Sequence, residues 1–199
     1  ANKGYFQATR RVRSSFRGAG SYVSGFLGNY GATVGIIGAG VIGRHVIKLL
    51  KPYKLDVLVF DPFLSDETAL SLGVEKTSLE ELFRCSDVIS NHLANNAQTQ
   101  GMINSSHFSL MKKNATFINT GRGQQLIEAD LIAALKENPD MTALLDVTYP
   151  EPPVEGSELY TLDNVFLTPH IAGSSGFEVH RMAEFMYSEY KRVADGLSP

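Results

Sequence analysis

Three glycines at close spacing stand between a β-branched run, residues 33–37, and an amphipathic stretch. They are Gly38, Gly40 and Gly43. In such a turn the first glycine permits a tight exit from a strand, and the second lets a pyrophosphate approach the backbone. The third lets helix and strand pack closely. Because the N–H groups of Val41 and Ile42 would begin the helix, they would face the phosphates. The pattern predicts a dinucleotide-binding turn.

An acidic residue, Asp61, ends the next apolar run and lies 18 residues beyond Gly43. A carboxylate at an offset of about 20 accepts hydrogen bonds from the adenosine ribose and repels a 2′-phosphate. The residue therefore predicts NAD rather than NADP as the cofactor. The alternative is a glycine turn that serves packing alone, since such turns also occur where nothing binds.

Polar residues also follow three later predicted strands. Residues 119–123 read Asn-Thr-Gly-Arg-Gly, residues 146–153 contain Asp-Val and Glu-Pro-Pro, and residues 168–173 read Thr-Pro-His-Ile-Ala-Gly. The carboxyl ends of parallel strands share one edge of a sheet, so all three segments would open on the same crevice. We expect Arg122, Glu151 and His170 to converge there.

Short β-branched runs alternate with helical patterns along the chain and predict the strands and helices that would support these residues. Strands are predicted at residues 33–37, 55–60, 88–90, 115–119, 142–147 and 165–167, and helices at 41–51, 66–72, 79–84, 105–111, 128–138 and 177–194. Strands that are apolar throughout suit a parallel sheet covered on both faces. The alternation predicts an α/β fold with a doubly wound parallel sheet, the Rossmann arrangement.

The two ends of the chain have a different pattern. Residues 5–16 predict a helix with an apolar face, and the glycine-rich residues 18–31 look like a connector. We therefore expect a connecting helix and linker over residues 1–31 and a dinucleotide-binding domain over residues 32–176. A C-terminal connecting helix would occupy residues 177–199.

The composition of the chain limits the classes of protein to which it can belong. With 199 residues and 43% apolar content, the chain suits about one domain. It has no run of about 18 apolar residues, and its first 20 residues lack the apolar core of a signal peptide. Cys85 is the only cysteine, and no histidine or carboxylate pair has metal-ligand spacing. We expect a cytosolic protein with no bound metal and no membrane contact, with His45, His107 and His180 on helix surfaces.

The net charge of −3 conceals a basic N-terminal segment. Residues 1–55 contain nine Lys or Arg and no acidic residue, with a cluster at Arg10, Arg11, Arg13 and Arg17. Such a cluster can bind nucleic acid, but no aromatic interleaving or nucleic-acid motif accompanies it. We favour a solvated basic face on a connecting helix and expect no nucleic-acid partner.

The motifs together resemble a known family. Gly-Ala-Gly-Val-Ile-Gly at residues 38–43, followed in order by the three segments described above, is similar to the D-isomer-specific 2-hydroxyacid dehydrogenases. The resemblance runs from about residue 5 to the end. It implies an oxidoreductase that transfers a hydride between NAD(H) and a small 2-hydroxy or 2-keto acid, and that pairs as a homodimer.

The resemblance also implies a further domain. In that family a substrate domain precedes the Rossmann unit, and here only about 30 residues precede the first predicted strand. We therefore expect the NAD-binding domain with its connecting helices and with the substrate domain largely absent. A cleft with one wall cannot exclude water or hold the reactants in register, so we expect NAD binding with little or no turnover.

The resemblance assigns catalytic roles to three residues. His170 and Glu151 would form a proton relay, and Arg122 would bind the substrate carboxylate. Elementary chemistry suits these roles, since imidazole has an ordinary pKa of about 6.5 and a guanidinium fork matches a carboxylate. Asp146 would hold the nicotinamide carboxamide. The alternatives are a capping or core histidine, a solvated loop carboxylate, an arginine paired with a surface acid, and a carboxylate that caps a turn.

The resemblance also implies the cofactor contacts. Besides the three glycines, Val41 and Ile42 would contact the pyrophosphate, and Asp61 would contact the ribose. Leu93, Ala94 and Thr99 would contribute from the loop after His92. The contacts at the nicotinamide end would be Thr120, Gly121, Arg122, Asp146, His170, Ala172 and Gly173. The family usually has alanine where Gly121 stands and a Pro-containing loop where residues 94–97 stand. His92 either lines the adenine side or packs as an ordinary histidine.

Two other functions remain open. One is an NAD(H)-sensing protein-interaction module of the corepressor type, because such corepressors resemble this family and keep the same catalytic residues. The other is a catalytically idle scaffold, against which the intact Arg122, Glu151 and His170 argue.

Overall fold

A computed structural model of the chain describes residues 1–198. The chain forms two compact units. The first, Ala1–Thr168, contains the whole β-sheet, and the second begins at Pro169 and contains one long helix.

The helices and strands alternate along most of the first unit. The helices are α1 Tyr5–Arg11, α2 Phe16–Val23, α3 Val41–Leu50, α4 Asp66–Leu72, α5 Leu79–Cys85, α6 Ser105–Phe108, α7 Glu128–Glu137 and, in the second unit, α8 Glu178–Ala194. The strands are β1 Tyr30–Ile37, β2 Lys54–Phe60, β3 Glu75–Lys76, β4 Val88–Asn91, β5 Thr116–Asn119, β6 Thr142–Leu145 and β7 Val165–Leu167. Short 3-10 helices lie at Gly123–Gln125 and Glu158–Tyr160.

The seven strands form one parallel sheet in the order β3-β2-β1-β4-β5-β6-β7. The chain winds outward from β1 in both directions, so the predicted doubly wound sheet is confirmed. The point where the winding reverses, between β1 and β4, is where ligands bind in such sheets.

The register of the strands aligns their carboxyl ends. One row across the sheet contains the last residue of each long strand, in the spatial order Phe60, Ile37, Asn91, Asn119, Leu145 and Leu167. The next residues along the chain therefore emerge side by side at one edge. These are Asp61, Gly38, His92, Thr120, Asp146 and Thr168.

Apolar side chains cover both faces of the sheet. On one face Phe83, Phe108 and Phe117 pack together, with ring centroids 5.4–6.1 Å apart. On the other face Ile47 and Val59 belong to a cluster at α3 and β2. Each such side chain stabilises the fold by about 1.5–3 kcal/mol when it is removed from water. The core thus fixes the sheet that carries the crevice.

The N-terminal segment differs from its prediction. The single helix expected over residues 5–16 ends at Arg11, and α2 occupies part of the stretch expected as a connector. The Ser15 side chain caps α2 by accepting a hydrogen bond from the Gly18 N–H at 3.0 Å. The Arg11 guanidinium lies 3.8 Å from the centroid of the Tyr22 ring. A serine cap and this contact outweigh the poor helix propensity of glycine.

Smaller differences occur at other boundaries. The two-residue edge strand β3 was not predicted. It is defined by its pairing with β2, and no periodic pattern in the sequence marks it. Helix α6 ends at Phe108 and not at residue 111, and β6 ends at Leu145 and not at residue 147.

The prediction that His107 lies on a helix surface is wrong. Its residue surface is only 7% exposed, and its ring centroid lies 5.4 Å from that of Phe83. Its Nδ1 accepts a hydrogen bond from the Asn104 N–H at 3.3 Å, which closes a capping box at the start of α6. Burial lowers the pKa of His107, although the charge of Glu80 opposes this effect.

The second unit consists mainly of α8, which has no buried residue. Its exposed side chains include Phe185, Tyr187 and Tyr190. Within residues 1–198, no helix combines the length and the apolar character needed to cross a bilayer.

Candidate functional site

The glycine turn leaves β1 at the centre of the sheet edge. Gly38 has a left-handed φ of 92°, which favours glycine because other residues carry a Cβ. Its N–H donates a hydrogen bond to the Phe60 carbonyl at 2.8 Å. A Cβ at this position would lie 3.0 Å from the carbonyl carbon of His92. The turn is therefore packed between the ends of β2 and β4.

The other two glycines have different surroundings. A Cβ on Gly43 would lie 1.9 Å from the Gly38 oxygen, so α3 packs directly on the turn. A Cβ on Gly40, the N-cap of α3, would meet nothing within 4 Å. Val41 is 86% exposed and Ile42 is 62% exposed. Because the first N–H groups of a helix have no partner within it, this open space fits a pyrophosphate.

The Asp61 carboxylate lies beside the same turn. Its Oδ2 accepts a hydrogen bond from the Ala39 N–H at 2.7 Å, and its Oδ1 accepts one from the Phe63 N–H at 2.8 Å. Each carboxylate oxygen has two acceptor positions. The arrangement therefore leaves capacity for ribose hydroxyls at the end of β2.

The loop after β4 holds three of the expected cofactor contacts. The Asn91 Oδ1 accepts a hydrogen bond from the Leu93 N–H at 3.2 Å. The Thr99 hydroxyl donates to the Ala94 carbonyl at 2.8 Å and accepts from the Asn96 N–H at 3.0 Å. The structure thus brings Leu93, Ala94 and Thr99 into one compact loop.

His92 precedes this loop and is half-buried. Its Nε2 lies 2.9 Å from the Ser90 hydroxyl. Burial lowers the pKa of His92, which favours the neutral ring. These features fit a packed histidine at the end of β4, and a place on the adenine side stays a prediction.

The turn after β5 carries Arg122. Its side chain is exposed, and Nη1 donates a hydrogen bond to the Gly121 carbonyl at 2.7 Å. A Cβ on Gly121 would lie 2.5 Å from the Gln125 Oε1. A Cβ on Gly123 would lie 2.0 Å from the carbonyl carbon of Thr148. The Arg122 turn therefore packs against the loop after β6.

Three residues at this edge were given no role in the sequence analysis. Asn91, Asn119 and Gln125 are each 0% exposed, and their carboxamides are joined by hydrogen bonds. The available signal was an amide at the end of an apolar strand, at Asn91, and a second amide three residues after Arg122. Buried amides are costly unless they are bonded, and these three are bonded to one another and to the neighbouring backbone.

Asp146 and Glu151 lie in the loop after β6. Asp146 is 6% exposed, and its Oδ1 accepts a hydrogen bond from the Thr168 hydroxyl at 2.5 Å. Glu151 is exposed and lies between two cis peptide bonds, Tyr149–Pro150 and Glu151–Pro152. The Thr148 hydroxyl donates to the Pro150 carbonyl at 2.9 Å and so closes this loop on itself.

Another carboxylate, on Glu128, contacts the same loop. Its Oε2 accepts a hydrogen bond from the Tyr149 N–H at 3.5 Å. Burial raises the pKa of Glu128, and the hydrogen bond from Tyr149 opposes that effect. This contact was not predicted, because Glu128 looks like an ordinary residue of the first turn of a helix.

The remaining expected site residues belong to the second unit. They are His170, Ala172 and Gly173. His170 is exposed and has a left-handed φ of 53°. This conformation is uncommon for a non-glycine residue and concentrates at functional sites. The approach of His170 to Arg122 and Glu151 stays a prediction. In the part of the chain that the structure describes, no three His, Cys, Asp or Glu side chains could together hold a metal ion.

Comparison with known proteins gives a family match over most of the chain. The model of the D-isomer specific 2-hydroxyacid dehydrogenase NAD binding domain matches residues 2–172. D-3-phosphoglycerate dehydrogenase of Methanocaldococcus jannaschii is 39% identical over 169 residues, which are 84% of this chain and 32% of that protein. Glyoxylate reductase of Pyrococcus horikoshii is 38% identical over 172 residues, or 85% of this chain and 51% of that protein. The chain thus spans about a third to a half of these relatives.

Solved structures agree with the sequence match. D-mandelate dehydrogenase of Rhodotorula graminis superposes with a TM-score of 0.82 and 28% identity, over 96% of this chain and 57% of that one. A Lactobacillus delbrueckii dehydrogenase of the family, in its NAD complex, has a TM-score of 0.72 and 26% identity over 84% of this chain and 55% of that one.

A third structure contains the phosphorylated cofactor. A Xanthobacter autotrophicus member complexed with NADPH has a TM-score of 0.72 and 28% identity, over 84% of this chain and 68% of that one. Solved structures of this fold therefore include complexes of both dinucleotides. The resemblance inferred from the motifs is confirmed. By its fold, its glycine turn and the match over residues 2–172, this chain belongs to the D-isomer-specific 2-hydroxyacid dehydrogenases as their NAD-binding domain.

Proposed function

We propose that this chain is the cofactor-binding part of an enzyme that transfers a hydride between NAD(H) and a small 2-hydroxy or 2-keto acid. One observation carries the proposal. A continuous series of contacts runs along the sheet edge from Gly38 to His92 and Leu93, through Gln125 to Arg122, and from the adjacent Gly123 to Thr148. The series joins the expected pyrophosphate turn to the expected binding residue for the substrate carboxylate.

NAD is the proposed cofactor in preference to NADP. The Asp61 carboxylate supports this choice, since the Ala39 N–H holds it beside the pyrophosphate turn. A negative charge there accepts bonds from ribose hydroxyls and repels a 2′-phosphate. When bound, the nicotinamide supplies or accepts the hydride at the substrate carbon.

Three side chains are proposed to act on the substrate. The Arg122 guanidinium would pair with the substrate carboxylate through two parallel hydrogen bonds. His170 would give a proton to the carbonyl oxygen during reduction and take it back during oxidation. Glu151 would accept a hydrogen bond from the other ring nitrogen, which fixes the tautomer and stabilises the imidazolium.

The remaining cofactor contacts are proposed as the resemblance assigned them. Leu93, Ala94 and Thr99 would lie on the adenine side, and Thr120, Gly121, Asp146, Ala172 and Gly173 would surround the nicotinamide end. The bond from Thr168 to Asp146 supports an orienting role for that carboxylate, because it fixes one of its oxygens. The domain bounds at residues 1–31, 32–176 and 177–199 also stay proposals.

We further propose a homodimer in the cytosol. Helix α8 exposes large apolar side chains, and contiguous patches of this kind usually meet a partner. Cys85 is a free thiol, which suits a reducing compartment.

No nucleic-acid partner is proposed. Arg10 pairs with Asp163 at 3.3 Å and lies 5.3 Å from the centroid of the Phe166 ring. Arg11 lies over Tyr22. Contacts within the protein thus account for two of the four clustered arginines. The corepressor alternative receives no support, since the relatives named above are described as dehydrogenases or reductases.

Measurements of NADH binding and of turnover test the proposed function. Titration of NADH into this chain should give saturable binding, and its absence would contradict the proposal.

The complete protein should oxidise NADH with at least one of glyoxylate, hydroxypyruvate, pyruvate and 3-phosphohydroxypyruvate. In that protein His170→Ala should lower turnover about 100-fold or more, and wild-type turnover would refute the proton role. The 199 residues alone should show little or no turnover, because hydride transfer needs a closed cleft.

A further inference from the structure

Three buried amides join the loop at Leu93 to the turn at Arg122. Asn91 ends β4, Asn119 ends β5, and Gln125 closes the 3-10 helix that follows Arg122. All three are 0% exposed. We call Asn91, Asn119 and Gln125 the amide cluster. The proposed catalytic and cofactor-binding roles use none of these side chains.

Gln125 contacts both sides of the crevice. Its Oε1 accepts hydrogen bonds from the Asn91 Nδ2 at 2.7 Å and from the Arg122 N–H at 3.0 Å. Its Nε2 donates to the Leu93 carbonyl at 2.8 Å. One carboxamide therefore fixes a backbone atom of the expected adenine-side loop and a backbone atom of Arg122.

Asn119 holds the other side of the Arg122 peptide. Its Nδ2 donates to the Arg122 carbonyl at 3.2 Å, and its Oδ1 accepts from the Gly121 N–H at 3.1 Å. The same Oδ1 accepts from the Asn91 Nδ2 at 3.0 Å. Amide side chains thus bond both the N–H and the carbonyl of Arg122, while its guanidinium stays exposed.

We propose that the amide cluster is a positioning device that holds the Leu93 loop and the Arg122 turn as one rigid unit. The inference rests on the proposed function, because it takes Leu93 and Gly121 as cofactor contacts. An apolar residue could fill the same volume without the cost of burying amides. The observed bonds go to the two loops and between the amides themselves, which indicates that the cluster serves the geometry of the site.

The first test compares two buried amides in this chain. Gln125→Met keeps the volume but removes all three hydrogen bonds, so the Kd for NADH should rise about tenfold. The matched control is Asn164→Ala. Asn164 is 7% exposed and donates to the Leu135 carbonyl at 2.9 Å. It directly precedes β7 and therefore lies at the amino ends of the parallel strands, whereas the site lies at their carboxyl ends. Its variant should be destabilised and should still bind NADH within about twofold of the unaltered chain.

The outcomes separate the two proposals. If the unaltered chain does not bind NADH, the proposed function fails. If the unaltered chain binds NADH and Gln125→Met binds it equally well, the positioning inference fails while the proposed function stands. Equal losses of NADH affinity in Gln125→Met and Asn164→Ala would also overturn the inference, because they would show that lower stability of the fold is enough to weaken binding.

A second variant gives a pH signature and replaces Gln125→Met if that variant does not fold. In Gln125→Glu the protonated carboxyl can still donate to the Leu93 carbonyl, whereas the carboxylate cannot. Between pH 5 and 8 (about the range in which a buried carboxyl titrates), its Kd for NADH should rise with pH more steeply than that of the unaltered chain. Parallel pH profiles would contradict the role of Gln125.

A double-variant cycle tests whether the cluster acts as a unit. Asn119→Ala should also weaken NADH binding. Combined with Gln125→Met, it should raise the Kd by less than the product of the two single effects. The reason is that either substitution alone already removes part of the rigidity that the two amides provide together. A double variant whose loss equals that product would show that the two amides act independently.

Discussion

The carboxylate of Asp61 accepts a hydrogen bond from the backbone N–H of Ala39 at 2.7 Å. Ala39 lies between the first two glycines of the turn, and Asp61 is the first residue after β2. The bond therefore fixes the distance between the expected pyrophosphate position and the expected ribose position. A single side chain both holds the turn and carries the charge proposed to select the cofactor.

Replacing this carboxylate should relax the cofactor preference. In Asp61→Ala the Kd for NADH should rise about tenfold, because charge-assisted bonds to the ribose are lost. NADPH binding should weaken less or improve, because the repulsion of the 2′-phosphate disappears. Fluorescence titration with both cofactors checks this. Asp56→Ala, at an exposed residue of the same strand, is the control and should leave both Kd values unchanged. Tighter binding of NADPH than NADH by the unaltered chain would refute the role of Asp61.

Two glycine substitutions should separate folding from binding. In Gly43→Ala the new Cβ would collide with the Gly38 oxygen, so we expect a loss of about 3 kcal/mol in the free energy of unfolding. In Gly40→Ala nothing lies within 4 Å of the new Cβ, and stability should change by less than about 1 kcal/mol. The methyl group would nevertheless occupy the space assigned to the pyrophosphate, so the Kd for NADH should rise about tenfold or more.

Denaturant unfolding and NADH titration of both variants provide the measurements. A Gly40→Ala variant that binds NADH like the unaltered chain would place the pyrophosphate elsewhere. A fully stable Gly43→Ala variant would contradict the close packing of α3 on the turn.

Loss of the Arg122 guanidinium should weaken substrate use far more than cofactor binding. In the complete protein, Arg122→Gln should lower kcat/KM for the 2-keto acid by about 100-fold or more, since two charge-assisted bonds are lost. Arg122→Lys should restore little, because an ammonium lacks the planar fork. NADH binding should stay within about threefold in both. Arg84→Gln is a suitable control, because that exposed arginine pairs with Glu81 on α5. An unchanged kcat/KM in Arg122→Gln would refute carboxylate binding.

Stability should fall as the solution is acidified from pH 7 to 5.5. Burial lowers the pKa of His107 and of His92 in the folded chain, whereas the unfolded chain keeps the ordinary value of about 6.5. The unfolded state therefore binds more protons in this window, and the free energy of unfolding decreases as pH falls. Each histidine contributes at most about 1.4 kcal/mol per pH unit.

Denaturant unfolding at several pH values tests this dependence. His107→Gln removes one titrating group and should flatten the slope of stability against pH. His45→Gln, at an exposed residue of α3, should preserve the slope. If His107→Gln kept the full slope, groups other than His107 would have to account for the pH dependence.

Local patterns predicted most of the first unit. Helix α4 and strand β7 have the predicted bounds, and α3 and α7 are one residue shorter than predicted at the C-terminal end. These elements follow periodic apolar residues, and the glycines mark a turn that the chain forms locally. Helix α2 was missed because its glycines have low helix propensity, and contacts such as that between Arg11 and Tyr22 override it.

The amide cluster and the burial of His107 show the limits of local reasoning. Asn91 and Gln125 lie 34 residues apart and bond at 2.7 Å, and no period in the sequence connects them. His107 looks like a helix-surface residue until its packing against Phe83 is known. Such features depend on which elements become neighbours, and propensities of single residues do not carry that information.

The parts of the site could be predicted from the order of residues alone, because the spacing of the glycines, the acid after β2 and the polar residues after later strands are local features. Which of those parts meet depends on how the chain folds. Parallel pairing places the ends of β1, β4, β5 and β6 in one row, and this row brings the Leu93 carbonyl to the Gln125 amide and the Gly38 turn to His92. Strand order and register arise from hydrogen bonds and packing between segments that are distant along the chain, so they appear only in the folded molecule.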